Sequence, residues 1–216
     1  AILIAGKTVV VLGYGSCGKG VAMRAQGMGA QVIVTEVDNF CALQASMDGH
    51  RVMKMEDAAK IGDLFVTVTG DLHVVDIHHM EAMKEGAVIC NSGHFDNEIN
   101  MEALEAKATN KRRVRHYLDE YTLGNKSIYV AGEGRLVNLA AAEGHPSEVM
   151  SLSFCGQALA CEYLVKNKGS LANEVITLPP EIDDEISGLQ LDAMGLSIDE
   201  LTEAQKKYLA SWQEGT

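Results

Sequence analysis

Residues 11–20 read VLGYGSCGKG. Gly13, Gly15 and Gly18 stand in the spacing G-x-G-x-x-G. Ahead of them runs KTVVVLG, a β-branched stretch long enough for a buried parallel strand and too short for a helix. Behind them KGVAMRAQGMG places Val21, Ala25 and Met28 at helical spacing. A glycine turn between a strand and a helix is built for phosphate. Gly13 permits the tight turn, Gly15 leaves room for a pyrophosphate, and Gly18 lets helix and strand approach. The helix N-terminus then offers free N–H groups and the positive end of its dipole. A P-loop is excluded, because Lys19 is followed by Gly20 rather than Ser or Thr, and the four-residue spacer is absent.

The next strand names the ligand more closely. AQVIVTE ends on Glu36, eighteen positions beyond Gly18 and near the ~20 expected for a carboxylate that binds a ribose diol. Such a carboxylate repels a 2′-phosphate, so the expected cofactor is NAD rather than NADP.

Working outward, strand-like and helix-like stretches alternate. NFCALQASMDG reads as a helix from Asn39 to Gly49, RVM as a short strand and MEDAAKIG as a helix. DLFVTVTG is a strand, IHHMEAMKEG a helix and AVICNSG a strand. This rhythm predicts an α/β chain with a doubly wound parallel sheet of Rossmann type, covered on both faces. Ligands of such sheets bind beyond the carboxyl ends of the strands. Thr69, Gly70, Asn91, Ser92, Gly93 and His94 are therefore expected to face the cofactor.

After this the pattern changes. YTLGNKSIYVAGEGR reads as a hairpin turning at Gly124-Asn125. LVNLAAAEG is a short helix, and PSEVMSLSFCGQALACEYLVKN a long one with Pro146 at its start. Its apolar residues cover most of its circumference, which predicts burial by the final arm, another domain or a second subunit. LPPEIDDEISGLQLDAMG and SIDELTEAQKKYLASW complete a helical C-terminal arm, with SIDE and TEAQ both resembling helix starts. The expected division is 1–143 for the dinucleotide domain, 144–170 for a hinge and long helix, and 171–216 for the arm.

Composition excludes several classes. A formal charge of −12 over 216 residues argues against nucleic acid. The one basic cluster, KRRVR at 111–115, reads as a solvated turn. No apolar run reaches membrane-spanning length, and AILIAGKTVV lacks the features of a signal peptide. Five cysteines without C-x-x-C spacing argue against a disulfide framework or structural zinc and for a reducing, cytoplasmic setting. The adjacent histidines of IHHM are expected on diverging helix faces, and no metal is expected.

Several blocks carry a family resemblance. AGKTVVVLGYGSCGKG, VIVTEVD, NSGHFDNEI, GEGRLVNLAAAEGHPSEVMSLSF and LTEAQKKYL are similar to the S-adenosylhomocysteine hydrolases along nearly the whole chain. The short ending SWQEGT resembles the archaeal and thermophilic-bacterial branch. The resemblance implies hydrolysis of S-adenosylhomocysteine to adenosine and homocysteine with tightly held NAD. Transient oxidation of the nucleoside 3′-hydroxyl acidifies the C4′ proton, and homocysteine leaves as a thiolate. It implies that Gly13, Gly15, Ser16, Cys17 and Gly18 hold the pyrophosphate, and that Glu36 holds the adenosine ribose. It also implies Thr69 and Gly70 beside the adenine half, Ser92, Gly93 and His94 near the nicotinamide, and Asn138 paired with its carboxamide. His94 with Phe95 resembles the substrate gate and His145 the hinge histidine that reaches the nucleoside. Those two histidines are the catalytic candidates.

Two departures stand out. Ser16-Cys17 replaces the Asp-Val of many members, and Cys41 stands where many place an Asn on the cofactor ribose. The Lys- and Tyr-containing tail that many members lend to a neighbour's NAD is also expected to be absent. The family carries a substrate-binding domain ahead of the segment that AILIAGK resembles. The expectation is therefore an NAD-binding portion, inactive alone and associating into a homo-oligomer. An inosyl substrate, an ordinary NAD-dependent dehydrogenase and a non-catalytic NAD module are the competing readings.

Overall fold

The computed structural model describes residues 2–212, so residues 213–216 of SWQEGT lie outside the described residues. The chain divides into two compact units, Ala1–Gly144 and His145–Thr216.

In the first unit, β1 (Thr8–Leu12) lies between β2 (Gln31–Thr35) and β4 (Leu64–Thr67), parallel to both. The remaining strands are β3 (Arg51–Val52), β5 (Val88–Asn91), β6 (Asn110–Arg115), β7 (Leu118–Leu123) and β8 (Lys126–Ala131). Their order is β3-β2-β1-β4-β5-β8-β7-β6. The first six strands are parallel, and β7 and β6 add antiparallel at one end. The hairpin β7–β8 turns at Gly124-Asn125, whose glycine has the positive φ of 64° that such a turn needs.

The alternation of β1 shows why the sheet is covered twice. Val9 and Val11 point into a core with Val32, Val34 and Val66, closed by Ala22 and Ala25 of α1 (Ser16–Gly27) and Ala45 of α2 (Asn39–Met47). Val10 and Leu12 point the other way, onto Ile33, Phe65 and Ile89. That face is closed by Ala58 and Ala59 of α3 (Met55–Ile61), Met80 of α4 (Ile77–Ala82) and Leu104 of α5 (Met101–Lys107). A strand buried on both faces must read as a continuous apolar run, and each buried valine contributes about 1.5–3 kcal/mol over an exposed one.

Three local expectations are corrected. KRRVR is strand β6 and not a solvated turn. The register sets Arg112 opposite Glu120 and Arg113 opposite Asp119, and both cross-strand pairs are ion pairs. Charge that reads as loop composition is neutralised by the neighbouring strand. Helix α5 went unread, although Asn100 caps it by accepting from the Ala103 N–H at 3.0 Å. SIDE starts no helix. The chain is irregular until α9 (Glu203–Leu209), which opens on the reciprocal Thr202/Gln205 capping box.

The second unit pairs α7 (Ser147–Lys166) with α8 (Pro180–Ala193). Ile186 of α8 is the one buried apolar side chain of this unit among the described residues, and its Cδ1 lies 3.9 Å from where a Cβ on Gly156 would stand. No residue of α7 is buried. Val149, Phe154, Leu164 and Val165 remain exposed, so the arm does not wrap the long helix.

Candidate cofactor site

The site lies where β1, β2, β4, β5 and β8 end. The chain leaves β1 through Gly13, whose φ of 109° is open to glycine alone, and its N–H donates to the Thr35 carbonyl at 2.9 Å. A Cβ on Gly18 would stand 2.1 Å from the Gly13 carbonyl oxygen. The strand and α1 can meet only because both residues are glycine. Gly15 is the opposite case. It has ordinary backbone angles, is exposed, and has nothing within 4 Å of a Cβ position. That vacancy beside the start of α1 is the room a pyrophosphate requires. The first turn carries Ser16 and Cys17, both exposed, with no side-chain cap and no acidic residue. Its N–H groups remain for an anion.

Glu36 is half-buried at the end of β2. Its Oε2 accepts from the Tyr14 N–H at 2.6 Å, and its Oε1 from those of Val37 at 2.7 Å and Asp38 at 3.1 Å. Three amides thus aim the carboxylate across the glycine turn. Tyr14 is tied a second time, its buried hydroxyl donating to Asp48 Oδ2 at 2.9 Å. Burial, then Asp48, pushes this phenol up to about 12, so it stays protonated. Cys41 sits on α2 close by, its N–H donating to Asp38 Oδ1 at 2.8 Å. Burial first, then the Asp38 and Glu36 carboxylates, raise its thiol pKa, with Lys19 opposing. The thiol is therefore neutral near pH 7.

Thr69 and Gly70 follow β4, beside the glycine turn: a Cβ on Gly13 would come 3.0 Å from the Thr69 methyl. Their N–H groups and the threonine hydroxyl turn onto Glu98, which the sequence reading missed. Only their carbonyls and the methyl are left for a ligand. Beyond β5, Asn91 is buried and fully used. Its Oδ1 accepts from the Thr67 hydroxyl and the Gly93 N–H, and its Nδ2 donates to the Phe95 and Gly134 carbonyls. Ser92 donates its N–H to the Thr67 carbonyl at 2.8 Å. These bonds fix the turn that carries His94 and Phe95, both exposed, rings edge to face at 4.6 Å. With Asp96, Arg135, Leu136, Leu139 and Ala140 they line an open pocket of about 410 Å³. Arg135 also went unread, since nothing in its spacing marks it.

Asn138 lies on the short helix α6 (Val137–Ala140), which follows Arg135. Its Oδ1 is buried without a hydrogen-bond partner in the protein. A buried acceptor left unmade is costly, and a carboxamide N–H is the donor that would satisfy it. The vacancy at Gly15, the aimed carboxylate of Glu36 and this orphaned oxygen all fit NAD. Gly13, Gly15, Ser16, Cys17 and Gly18 follow β1, Glu36 follows β2, Thr69 and Gly70 follow β4, and Ser92, Gly93 and His94 follow β5, whereas Cys41 lies on α2 and Asn138 on α6. His145, exposed, opens the second unit.

The histidines of IHHM correct another expectation. At the N-terminus of α4 their rings do not diverge but lie 3.9 Å apart, and with Glu56 their ligand atoms fall within 4.8 Å of one another. His79 Nδ1, however, accepts from the Asp76 N–H at 3.1 Å as half of a capping box. The other nitrogen of the neutral ring then carries the proton, so binding a cation there would break the cap. Burial, then His78, holds His79 below its ordinary value of 6.5. A lowered native pKa means the unfolded chain protonates first as pH falls, so stability is full above about 6.5 and declines below it. Urea midpoints should fall between pH 7 and 5.5. His79→Gln, which keeps the capping box, should flatten that decline; an unchanged slope would remove His79 as its source.

Residues 1–144 match the family model described as S-adenosyl-L-homocysteine hydrolase, NAD binding domain. An adenosylhomocysteinase of Gloeothece citriformis is 60% identical over 216 residues, which is 100% of this chain and 50% of that protein. An S-inosyl-L-homocysteine hydrolase of Methanocaldococcus jannaschii is 59% identical over 215 residues, 100% of this chain and 52% of that one. An adenosylhomocysteinase of Archaeoglobus fulgidus is 54% identical over 215 residues, 100% and 53%. The chain spans about half the length of the curated relatives it matches. A family match over two-thirds of the sequence, on the residues that build the turn, Glu36 and Asn138, makes the chain a member of the S-adenosyl-L-homocysteine hydrolase family, carrying its NAD-binding domain.

Proposed function

We propose that the chain is the NAD-holding portion of a hydrolase that splits S-adenosylhomocysteine into adenosine and homocysteine. What supports this is the pocket lined by His94, Phe95 and Arg135, together with the buried, unpaired Asn138 oxygen, which suits a nicotinamide carboxamide. NAD, when bound, supplies reversible hydride acceptance at the nucleoside 3′ carbon, which lets the C4′ proton leave. This chain's residues bind and orient. The α1 amides take the pyrophosphate, Glu36 the ribose and Asn138 the carboxamide. His94 and Phe95 border the entry of the nucleoside, and His145, at the start of the second unit, is the other catalytic candidate.

The substrate-gripping groups belong to the half that the relatives carry and this chain does not span. Residues 144–170 then pack on that half, a reading supported by the exposed Val149, Phe154, Leu164 and Val165 of α7. An inosyl substrate is a specific second reading, favoured by 59% identity to the S-inosyl-L-homocysteine hydrolase. Five free cysteines fit a cytoplasmic setting, and exposed Val37, Phe40, Leu43 and Met47 around α2 fit self-association.

The test joins the preceding half of the Gloeothece citriformis enzyme to this chain and follows thiol release from S-adenosyl- and S-inosylhomocysteine. Thiol should appear with the joined protein only. Release by the 216-residue chain alone would contradict the division of labour, and a joined protein that holds NAD yet splits neither thioether would overturn the activity.

A further inference from the structure

Glu98 is fully buried. Its partners are donors of one loop: the Thr69 N–H at 2.9 Å and Thr69 hydroxyl at 2.8 Å on Oε2, and the Gly70 N–H at 2.8 Å on Oε1. The Thr69 oxygen accepts from the Asp71 N–H at 3.0 Å, so its proton is committed to Glu98. The backbone of Glu98 holds the same loop further on, its carbonyl accepting from the Val75 N–H at 3.0 Å. Clearance comes from the β5 side, where a Cβ on Gly93 would stand 1.6 Å from Glu98 Oε1.

Thr69 and Gly70 are exposed, so water could satisfy their N–H groups. Folding gives them a desolvated carboxylate instead, whose burial is offset by the three hydrogen bonds that fix the loop. The loop lies across β1 from Glu36, on the β4–β5 side of the sheet, which departs from the adenine-half contact that the family resemblance implied for Thr69 and Gly70. A dinucleotide spanning the β1 turn puts its adenosine half on the β1–β2 side and its other half over β4 and β5.

We propose that Glu98 is a positioning residue of the cofactor site, holding the Thr69–Gly70 loop and the Gly93 turn in the register that receives the nicotinamide half. This rests on the NAD reading above. Only a carboxylate serves, because donors converge on both oxygens. In Glu98→Gln the amide NH2 faces a backbone N–H in either orientation, and Glu98→Asp is a methylene short. Gly93→Ala attacks the same lock from the other side.

The test is calorimetric titration of the whole chain and its variants with NAD and with ADP, which on this placement reaches the glycine turn and Glu36 without the loop after β4. Glu98→Gln and Gly93→Ala should each weaken NAD about tenfold, the cost of one unmade buried hydrogen bond, and leave ADP unchanged. If Glu98→Gln does not fold, Thr69→Val removes one donor, leaves the carboxylate in place, and should weaken NAD about threefold with ADP unmoved. Equal losses for NAD and ADP, in step with a lower melting temperature, would make Glu98 merely structural and overturn the proposal. Unchanged NAD affinity would overturn it too. Wild-type chain that binds neither ligand would remove the cofactor reading itself, and this proposal with it.

Discussion

Gly15→Ala and Gly18→Ala, three residues apart, are expected to fail in opposite ways. At Gly18 the new methyl would lie 2.1 Å from the Gly13 carbonyl oxygen and 2.8 Å from its carbon. Both belong to the backbone of a tight turn and have no rotamer to move to. Overpacking against yielding side chains costs about 1–3 kcal/mol, and this contact does not yield, so about 3 kcal/mol is expected. The melting temperature should fall by roughly 6–12 °C, with NAD binding lost alongside it. Gly15 has φ of −70° and open space around its Cβ position. Alanine there should leave the melting temperature unchanged and weaken NAD on the order of 100-fold, because the methyl occupies the approach of the pyrophosphate. Scanning calorimetry and NAD titration on the same two preparations separate the outcomes. A Gly15→Ala protein that binds NAD as wild type does would move the pyrophosphate elsewhere.

The second large effect is at Glu36. Three backbone N–H groups hold its carboxylate in place, so it meets a ribose already oriented. Hydrogen bonds to a charged acceptor are worth about 1.5–3 kcal/mol, and Glu36→Ala should weaken NAD on the order of 10- to 100-fold. NADP should behave differently. Its 2′-phosphate meets the carboxylate of wild type at close range and gains when that charge goes, so the preference for NAD should nearly vanish in the variant. Paired titrations with NAD and NADP measure this. A variant that loses both cofactors in equal proportion would show that Glu36 shapes the turn without reading the ribose.

The parts of this site that the sequence discloses are those where one residue type is forced. Only glycine serves at Gly13 and Gly18, and the β1 run Val9–Leu12 must be apolar on both faces. Such constraints leave a pattern, and from them follow the turn, the parallel sheet, Glu36 and the choice of NAD. Glu98 leaves none. It reads as one more acid in a polar turn, and its meaning comes from Thr69 and Gly70, almost thirty residues away. KRRVR misleads for the same reason, because the charges of Glu120 and Asp119 that make it a strand belong to β7. SIDE and TEAQ show the limit of local capping signals. Thr202 and Gln205 complete a reciprocal box ahead of α9, whereas SIDE itself lies in irregular chain.

The most direct measurement is titration of the 216-residue chain, freed of bound nucleotide, with NAD and NADP in a calorimeter. One NAD per chain should bind, about 100-fold more tightly than NADP, as expected when an oriented carboxylate meets either a ribose diol or a second negative charge. Absence of NAD binding at millimolar concentration, or equal affinity for the two cofactors, would contradict the assignment of the glycine turn and Glu36.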